Sequence, residues 1–212
     1  MQMKYNKVKL LIAIPSVDYV HFKFSESLSK LMQWLTDNGV NYRVEFKGGT
    51  LLYMSRDYFV DLAYKWSKGF THVLWLDSDM VFEPDIFEKL YGDDKDMVCG
   101  LFRARHGKKQ LCIFKRLFPS NRFVIEDVNE YKGQVFEVAG CGFGCVLTTV
   151  KLLEAVATEY GSSFMPTTQM GEDVAFCDRV GKLGYKIFCD PMVHVGHISQ
   201  SIIWPVRSEQ VI

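Results

Sequence analysis

Three short strand candidates, at residues 8–14, 40–46 and 72–76, are separated by two stretches whose apolar residues recur every three or four positions. In the first stretch, residues 25–38, Leu28, Leu31, Met32 and Leu35 share one helical face, and Gly39 supplies a stop. In the second, Tyr58, Phe59, Leu62, Ala63 and Trp66 do the same before Gly69. Pro15-Ser16 ends the first run and Gly48-Gly49 the second. Few folds accept such a β-α-β-α-β order: strands joined through helices lie parallel, and ligands collect beyond their carboxyl ends. An α/β fold is therefore predicted, with residues 1–95 forming a Rossmann-like nucleotide-binding half. Pro84 opens a short predicted helix that ends near Tyr91-Gly92.

Residues 96–212 change character. Strand candidates at 97–102, 111–114, 122–128 and 135–138 follow one another without helices. A helix is expected at about 149–160, an irregular stretch at 161–171, a last amphipathic helix at 172–183 and a last strand at 185–189, before Pro191. With no repeat or low-complexity segment, the two halves are expected to share one mostly parallel sheet, making residues 1–212 a single domain. Sixteen Phe, ten Tyr and four Trp provide ample core for it. Zero net charge argues against broad attraction to nucleic acid or to an anionic membrane. No stretch has the length of a membrane span, and the N-terminus does not read as a signal peptide. The six cysteines lack zinc-like spacing and several sit in apolar segments, so free buried thiols in a cytoplasmic protein are expected. Such a domain can also be one part of a longer polypeptide.

Chemistry concentrates first at Asp77-Ser78-Asp79, which emerges where the third apolar run ends. One intervening residue lets two carboxylates approach a hard divalent cation and the phosphates it carries. About one D-x-D is expected by chance at this Asp content, and a second, Asp94-Lys95-Asp96, follows Gly92 in what reads as a solvated turn. Gly171-Glu172-Asp173 opens the last helix, with Asp173 on the face of Phe176, Val180 and Leu183 and Glu172 rotated roughly 100° away. Asp173 can there accept a proton from a nucleophile; the helix dipole equally explains an acidic first turn. Downstream of the last strand, His194 and His197 offer an imidazole to an oxygen-rich shell suited to manganese or magnesium; Gly196 favours His197.

Arg56 can grip a diphosphate or a nucleobase, or lie on the surface. The only basic cluster, Arg103-Ala104-Arg105-His106-Gly107-Lys108-Lys109 with Lys115 and Arg116, can neutralise phosphate or stand as a solvated loop. Gly140-Cys141-Gly142-Phe143-Gly144 lacks the placement of a dinucleotide fingerprint and suggests backbone approaching a bulky ligand.

In their order and spacing, Ser55-Arg56-Asp57, Asp77-Ser78-Asp79, Gly140 to Gly144, Gly171-Glu172-Asp173 and the segment from Asp190 to His197 together resemble the GT-A class of nucleotide-sugar-dependent glycosyltransferases. The resemblance implies a GT-A fold, a UDP-sugar donor, a bound Mn2+ or Mg2+ and transfer of a hexosyl or deoxyhexosyl group to a glycan or glycoprotein hydroxyl. It implies Asp79 and His197 as metal ligands, Asp77 on the metal through water or on the ribose, and Pro15, Ser16, Asp18, Ser78 and Arg56 around the nucleotide. Gly140 to Gly144 would border the acceptor. Asp173, beside Glu172, matches the base of inverting members. An Asn often follows that Arg in the class, where this chain has Asp57. The short size also resembles a viral glycosyltransferase domain, which would place it in host cytoplasm.

Two rival readings stand beside this one. Asp77-x-Asp79 after an apolar strand also suits a haloacid-dehalogenase-type phosphatase, with Asp77 as nucleophile and Asp79 as general acid, although that motif normally closes the first strand. A domain that binds a nucleotide sugar or glycan without turnover is the other.

Overall fold

The computed structural model describes residues 5–17, 19–66, 69–105, 107–118, 121–199 and 202–203, with 118, 121–123, 202 and 203 described by backbone alone. Strand β1 (Lys9–Pro15) is buried along nearly its whole length, as a central strand of a covered sheet must be. Helix α1 (Phe22–Asp37) starts three residues before its predicted stretch, because His21 Nδ1 accepts from Lys23 N at 3.1 Å and caps it. Strand β2 (Asn41–Lys47) leads to α2 (Leu52–Asp61), which continues as a π-helical turn, Leu62–Trp66.

After β3 (His72–Leu76) come the two-residue strand β4 (Met80–Val81), α3 (Ile86–Gly92) and β5 (Met97–Leu101). Strands β6 (Ile113–Phe118) and β7 (Asn121–Val124) pair antiparallel beside β9 (Gly140–Cys141), apart from the main sheet; β8 (Phe136–Val138) lies between β7 and β9 in the sequence. The chain closes with β10 (Cys145–Thr149), α4 (Val150–Tyr160), α5 (Glu172–Lys182), β11 (Ile187–His194), β12 (Gly196–Ile198) and β13 (Ile202–Ile203).

The main sheet has seven strands in the order β2-β1-β3-β10-β5-β11-β8. Strands β2, β1, β3, β5 and β11 run one way, and β10 and β8 run against them. It is a mostly parallel α/β sheet continuous through both halves of the chain. Alternation along β1 sends Leu10, Ile12 and Ile14 to one face, where Leu28, Leu31, Phe87 and Leu90 of α1 and α3 cover them. Leu11 and Ala13 point to the other face, among Phe59, Leu153, Val156 and Phe176 of α2, α4 and α5. Among the described residues no helix is long and apolar enough to cross a membrane.

Two strand expectations are corrected. The last strand passes through Pro191 instead of stopping before it, because a register shift against β5 between Cys189 and His194 spares the ring a ladder hydrogen bond. Cys145–Thr149, legible only as an apolar run before a helix, is a strand inserted between β3 and β5.

Candidate active site

The carboxyl ends of β1, β3 and β5 and the chain leaving β11 meet at one edge of the sheet. There Met80 N donates to Asp77 O at 3.2 Å, closing a turn over Asp77-Ser78-Asp79-Met80, and Asp77 N donates to Gly144 O at the start of β10. The turn feeds β4, whose partner β12 places His197 opposite Met80, while Ile198 N donates to Asp79 O at 2.8 Å. His197 Nε2 thereby lies 3.3 Å from Asp79 Oδ2. Its Nδ1 must carry a hydrogen, because its partner 2.9 Å away is the Arg103 carbonyl, which only accepts. Arg105 Nη1 donates to the same Asp79 oxygen.

Burial opposes ionisation of Asp79, yet the His197 hydrogen bond and the charges of His197 and Arg105 hold its carboxyl below the ordinary value. Burial likewise works against a charged His197, but the bonds to Asp79 and Arg103 raise its pKa. Asp77 moves the other way: burial pushes it up to about 6, opposed by Arg56 and reinforced by Asp79, Glu172 and Asp173.

Two clefts flank these residues. The first, about 480 Å³, is lined by Pro15, Ser16, Thr50, Ser55, Ser78 and Asp79, among others. The second, about 430 Å³, is lined by Arg56, Phe102, Phe114, Phe143, Glu172 and Asp173, among others. Leu52, Asp77, Arg105 and His197 belong to both, so the clefts share a wall at the D-x-D turn. Asp18 lies outside the described residues.

Arg56 is neither at the surface nor in the first cleft. Its side chain is 2% exposed; Nη2 donates to Asp77 Oδ1 at 3.0 Å and Nε lies 3.8 Å from Glu172 Oε1. The guanidinium sits over Phe143, 5.0 Å from the ring centre, and 5.8 Å from that of Phe164. It is a buried counter-ion between the turn after β3 and the start of α5. The neighbouring Asp57 accepts from Phe164 N at 2.9 Å and from the Ser162 hydroxyl, tying down the segment that leads into α5.

At the tip of α5, Glu172 and Asp173 both line the second cleft, although helical spacing had turned Glu172 away; Arg56 draws it back. Asp173 Oδ1 accepts from Val174 N at 2.7 Å, while Oδ2 lies on the Gly142 side. Of the closely spaced glycines, Gly142 borders the cleft. All three are also small for a packing reason: an added Cβ would meet Leu117 at Gly140, Phe102 at Gly142 and Met80 at Gly144.

His194 stands aside, with Nε2 2.9 Å from Pro191 O. Asp94-Lys95-Asp96 lies at the opposite end of the sheet, where Asp96 accepts from the Thr149 hydroxyl. From the basic cluster Arg105 enters the site, Lys108, Lys109, Lys115 and Arg116 are exposed, and His106 lies outside the described residues. Thr50, Leu51 and Leu52, at the start of α2, carry no sequence signal that sets them apart from any loop, yet they line the first cleft.

Asp79 and His197 together fit a divalent cation: an ionised oxygen faces an imidazole whose Nδ1–H is fixed by a carbonyl, leaving Nε2 as the ligating atom. Among the described residues no three His, Cys, Asp or Glu side chains are gathered to hold a metal on their own. The remaining ligands would be phosphate oxygens and water, as is usual for Mg2+ at a phosphate site.

No family profile and no curated protein sequence matches the chain. Among solved structures it is similar to A197 from STIV, with a TM-score of 0.60 and 18% identity over 97% of each chain. It is also similar to the catalytic domain of Drosophila beta1,4-galactosyltransferase 7, with a TM-score of 0.54 and 11% identity over 96% of this chain and 72% of that one. Likeness to a glycosyltransferase involved in glycosylation of the major capsid of PBCV-1 is looser, with a TM-score of 0.40 and 11% identity over 72% and 68% of the two chains, and supports no closer kinship. The α/β fold with its mostly parallel seven-stranded sheet matches that of GT-A-like glycosyltransferases.

Proposed function

We propose that this protein is a glycosyltransferase that moves a sugar from a nucleotide diphosphate sugar, a UDP-sugar in the first instance, to a hydroxyl of a glycan or glycoprotein. The observation that carries this reading is the meeting of two clefts at the wall formed by Asp77, Arg105 and His197. A two-substrate transfer needs that arrangement, with donor and acceptor on opposite sides of the reacting bond. The fold shared with a galactosyltransferase catalytic domain supports it.

In this reading Pro15, Ser16 and Ser78 border the nucleotide in the first cleft. Asp79 and His197, with Asp77 beside them, hold Mn2+ or Mg2+, which would neutralise charge on the departing diphosphate. The acceptor sugar lies against Phe102, Phe114 and Phe143 in the second cleft. Its hydroxyl oxygen bonds to the anomeric carbon as the bond from that carbon to the phosphate oxygen breaks, leaving its electron pair on the diphosphate. Asp173 Oδ2 takes the hydroxyl proton, since Oδ1 is engaged by Val174 N. A single displacement of this kind inverts the anomeric centre.

The test is calorimetric titration of UDP with and without Mn2+ on the wild type and on Asp79→Ala, followed by a UDP-sugar transfer assay on Asp173→Asn. Binding that needs both Mn2+ and Asp79, with transfer lost in Asp173→Asn while UDP still binds, is the expected result. Absence of UDP, GDP and dTDP binding in the wild type would overturn the reading. Phosphate release lost in Asp77→Ala would favour the phosphatase, and donor binding without any transfer a binding domain.

A further inference from the structure

Asp79 Oδ2 is held from two sides, by His197 Nε2 and by the Arg105 guanidinium. Arg105 is the outermost of the three, its side chain 45% exposed against 28% for Asp79 and 13% for His197. It is carried between Phe102 and Cys112 on a connection closed at its base by the Arg103–Leu111 bridge. Hydrogen bonds from Ala104 N to Gln110 O, at 2.8 Å, and from Cys112 N to Phe102 O, at 3.0 Å, brace it. The base of this connection also presents the carbonyl of Arg103 to His197, so one short segment both fixes the imidazole and supplies the competing cation.

A guanidinium and a divalent cation compete for one carboxylate oxygen, since each brings positive charge to it. A half-exposed ion pair is weak and exchangeable. A nucleoside diphosphate arriving at the shared wall offers Arg105 a better partner, because a guanidinium forks onto phosphate oxygens and the diphosphate carries more charge than one carboxylate.

We propose that Arg105 is an exchangeable counter-ion: it holds Asp79 in the empty protein and passes to the diphosphate when nucleotide and divalent cation enter together. This rests on the nucleotide-sugar reading above and adds to it a residue and an order. The cation binds weakly alone and tightly with nucleotide, and Arg105 becomes a catalytic residue that shares the charge of the leaving diphosphate.

The experiment titrates Mn2+ alone, and then UDP in the presence of Mn2+, into the wild type, Arg105→Ala and Arg105→Lys, with thermal melts to verify folding. Arg105→Ala is expected to bind Mn2+ alone about fivefold more tightly than the wild type, the worth of a removed surface ion pair. The same variant should bind UDP with Mn2+ about tenfold or more weakly, as befits a lost charge-assisted hydrogen bond. Arg105→Lys should fall between. Mn2+ affinity unchanged or reduced in Arg105→Ala overturns the proposal, whatever UDP does. If the wild type binds no nucleoside diphosphate, the nucleotide-sugar reading fails separately, and the Mn2+ titration still reports whether Arg105 competes for Asp79.

Discussion

Arg56 shows how much depends on a single buried charge. Its Nε and Nη1 have no hydrogen-bond partner, so the guanidinium is held by Asp77, by Glu172 and by aromatic rings. Arg56→Met keeps the volume but leaves Asp77, half-buried in the cleft wall, without its cation. It is expected to lower stability by about 3 kcal/mol, read as a lower urea midpoint. Asp93 makes the opposite case at the end of α3. Burial, then the nearby Asp190, raises its carboxyl to about 6, with Lys95 offsetting part, and Oδ2 has no partner. A folded pKa above the unfolded one means that the proton favours the folded state. This stabilisation is complete below about pH 4 and is lost as pH rises through 6. Asp93→Asn should therefore leave stability at pH 4 unchanged and raise it at pH 8 by about 1 kcal/mol once solvent screening is allowed for, read as a higher melting temperature at pH 8 alone. Neither environment was legible in the sequence: Arg56 read equally as a diphosphate or nucleobase contact or as a surface residue, and the Asp93–Asp190 approach joins residues far apart in the chain.

At the scale of elements, α2 is the strut between the two chemical centres. One of its residues grips the turn after β3 and the next grips the segment before α5. Asp57→Ala removes hydrogen bonds from a charged acceptor to Ser162 and Phe164 and should cost about 2 kcal/mol. With α5 less firmly seated, the rate constant for transfer should fall while UDP affinity stays the same, as initial-rate kinetics set beside calorimetry would show. The helices were legible because their period of 3.6 runs over many residues, and the first three strands because turn residues and helices set them apart. Strand β10 was not, since Cys145–Thr149 passes into the apolar stripe of α4 without a turn residue between. Nor were β4 and β12, because two or three residues carry no period, yet that pair is what brings His197 to Asp79. The acidic residues of the site could thus be named from their own positions; His197 was set beside Asp79 by the resemblance alone.

For the whole molecule, one continuous sheet joins the halves at 1–95 and 96–212. Three of the four tryptophans, Trp34, Trp66 and Trp75, lie in the first half, and all six cysteines lie in the second. Urea unfolding followed by tryptophan emission and by thiol reactivity should therefore give one superimposable transition; two midpoints would show independent domains. The central place of β10 also matters while the chain is being made. At about 5–20 residues per second, the interval between completing β3 and completing β10 lasts on the order of ten seconds. Throughout it the unfinished sheet offers the ribosome's surroundings an unpaired backbone edge, next to apolar side chains that α4 and α5 do not yet cover. A growing chain of this design is most prone to pair with its neighbours just before its middle strand emerges, and slower synthesis over that interval prolongs the exposure.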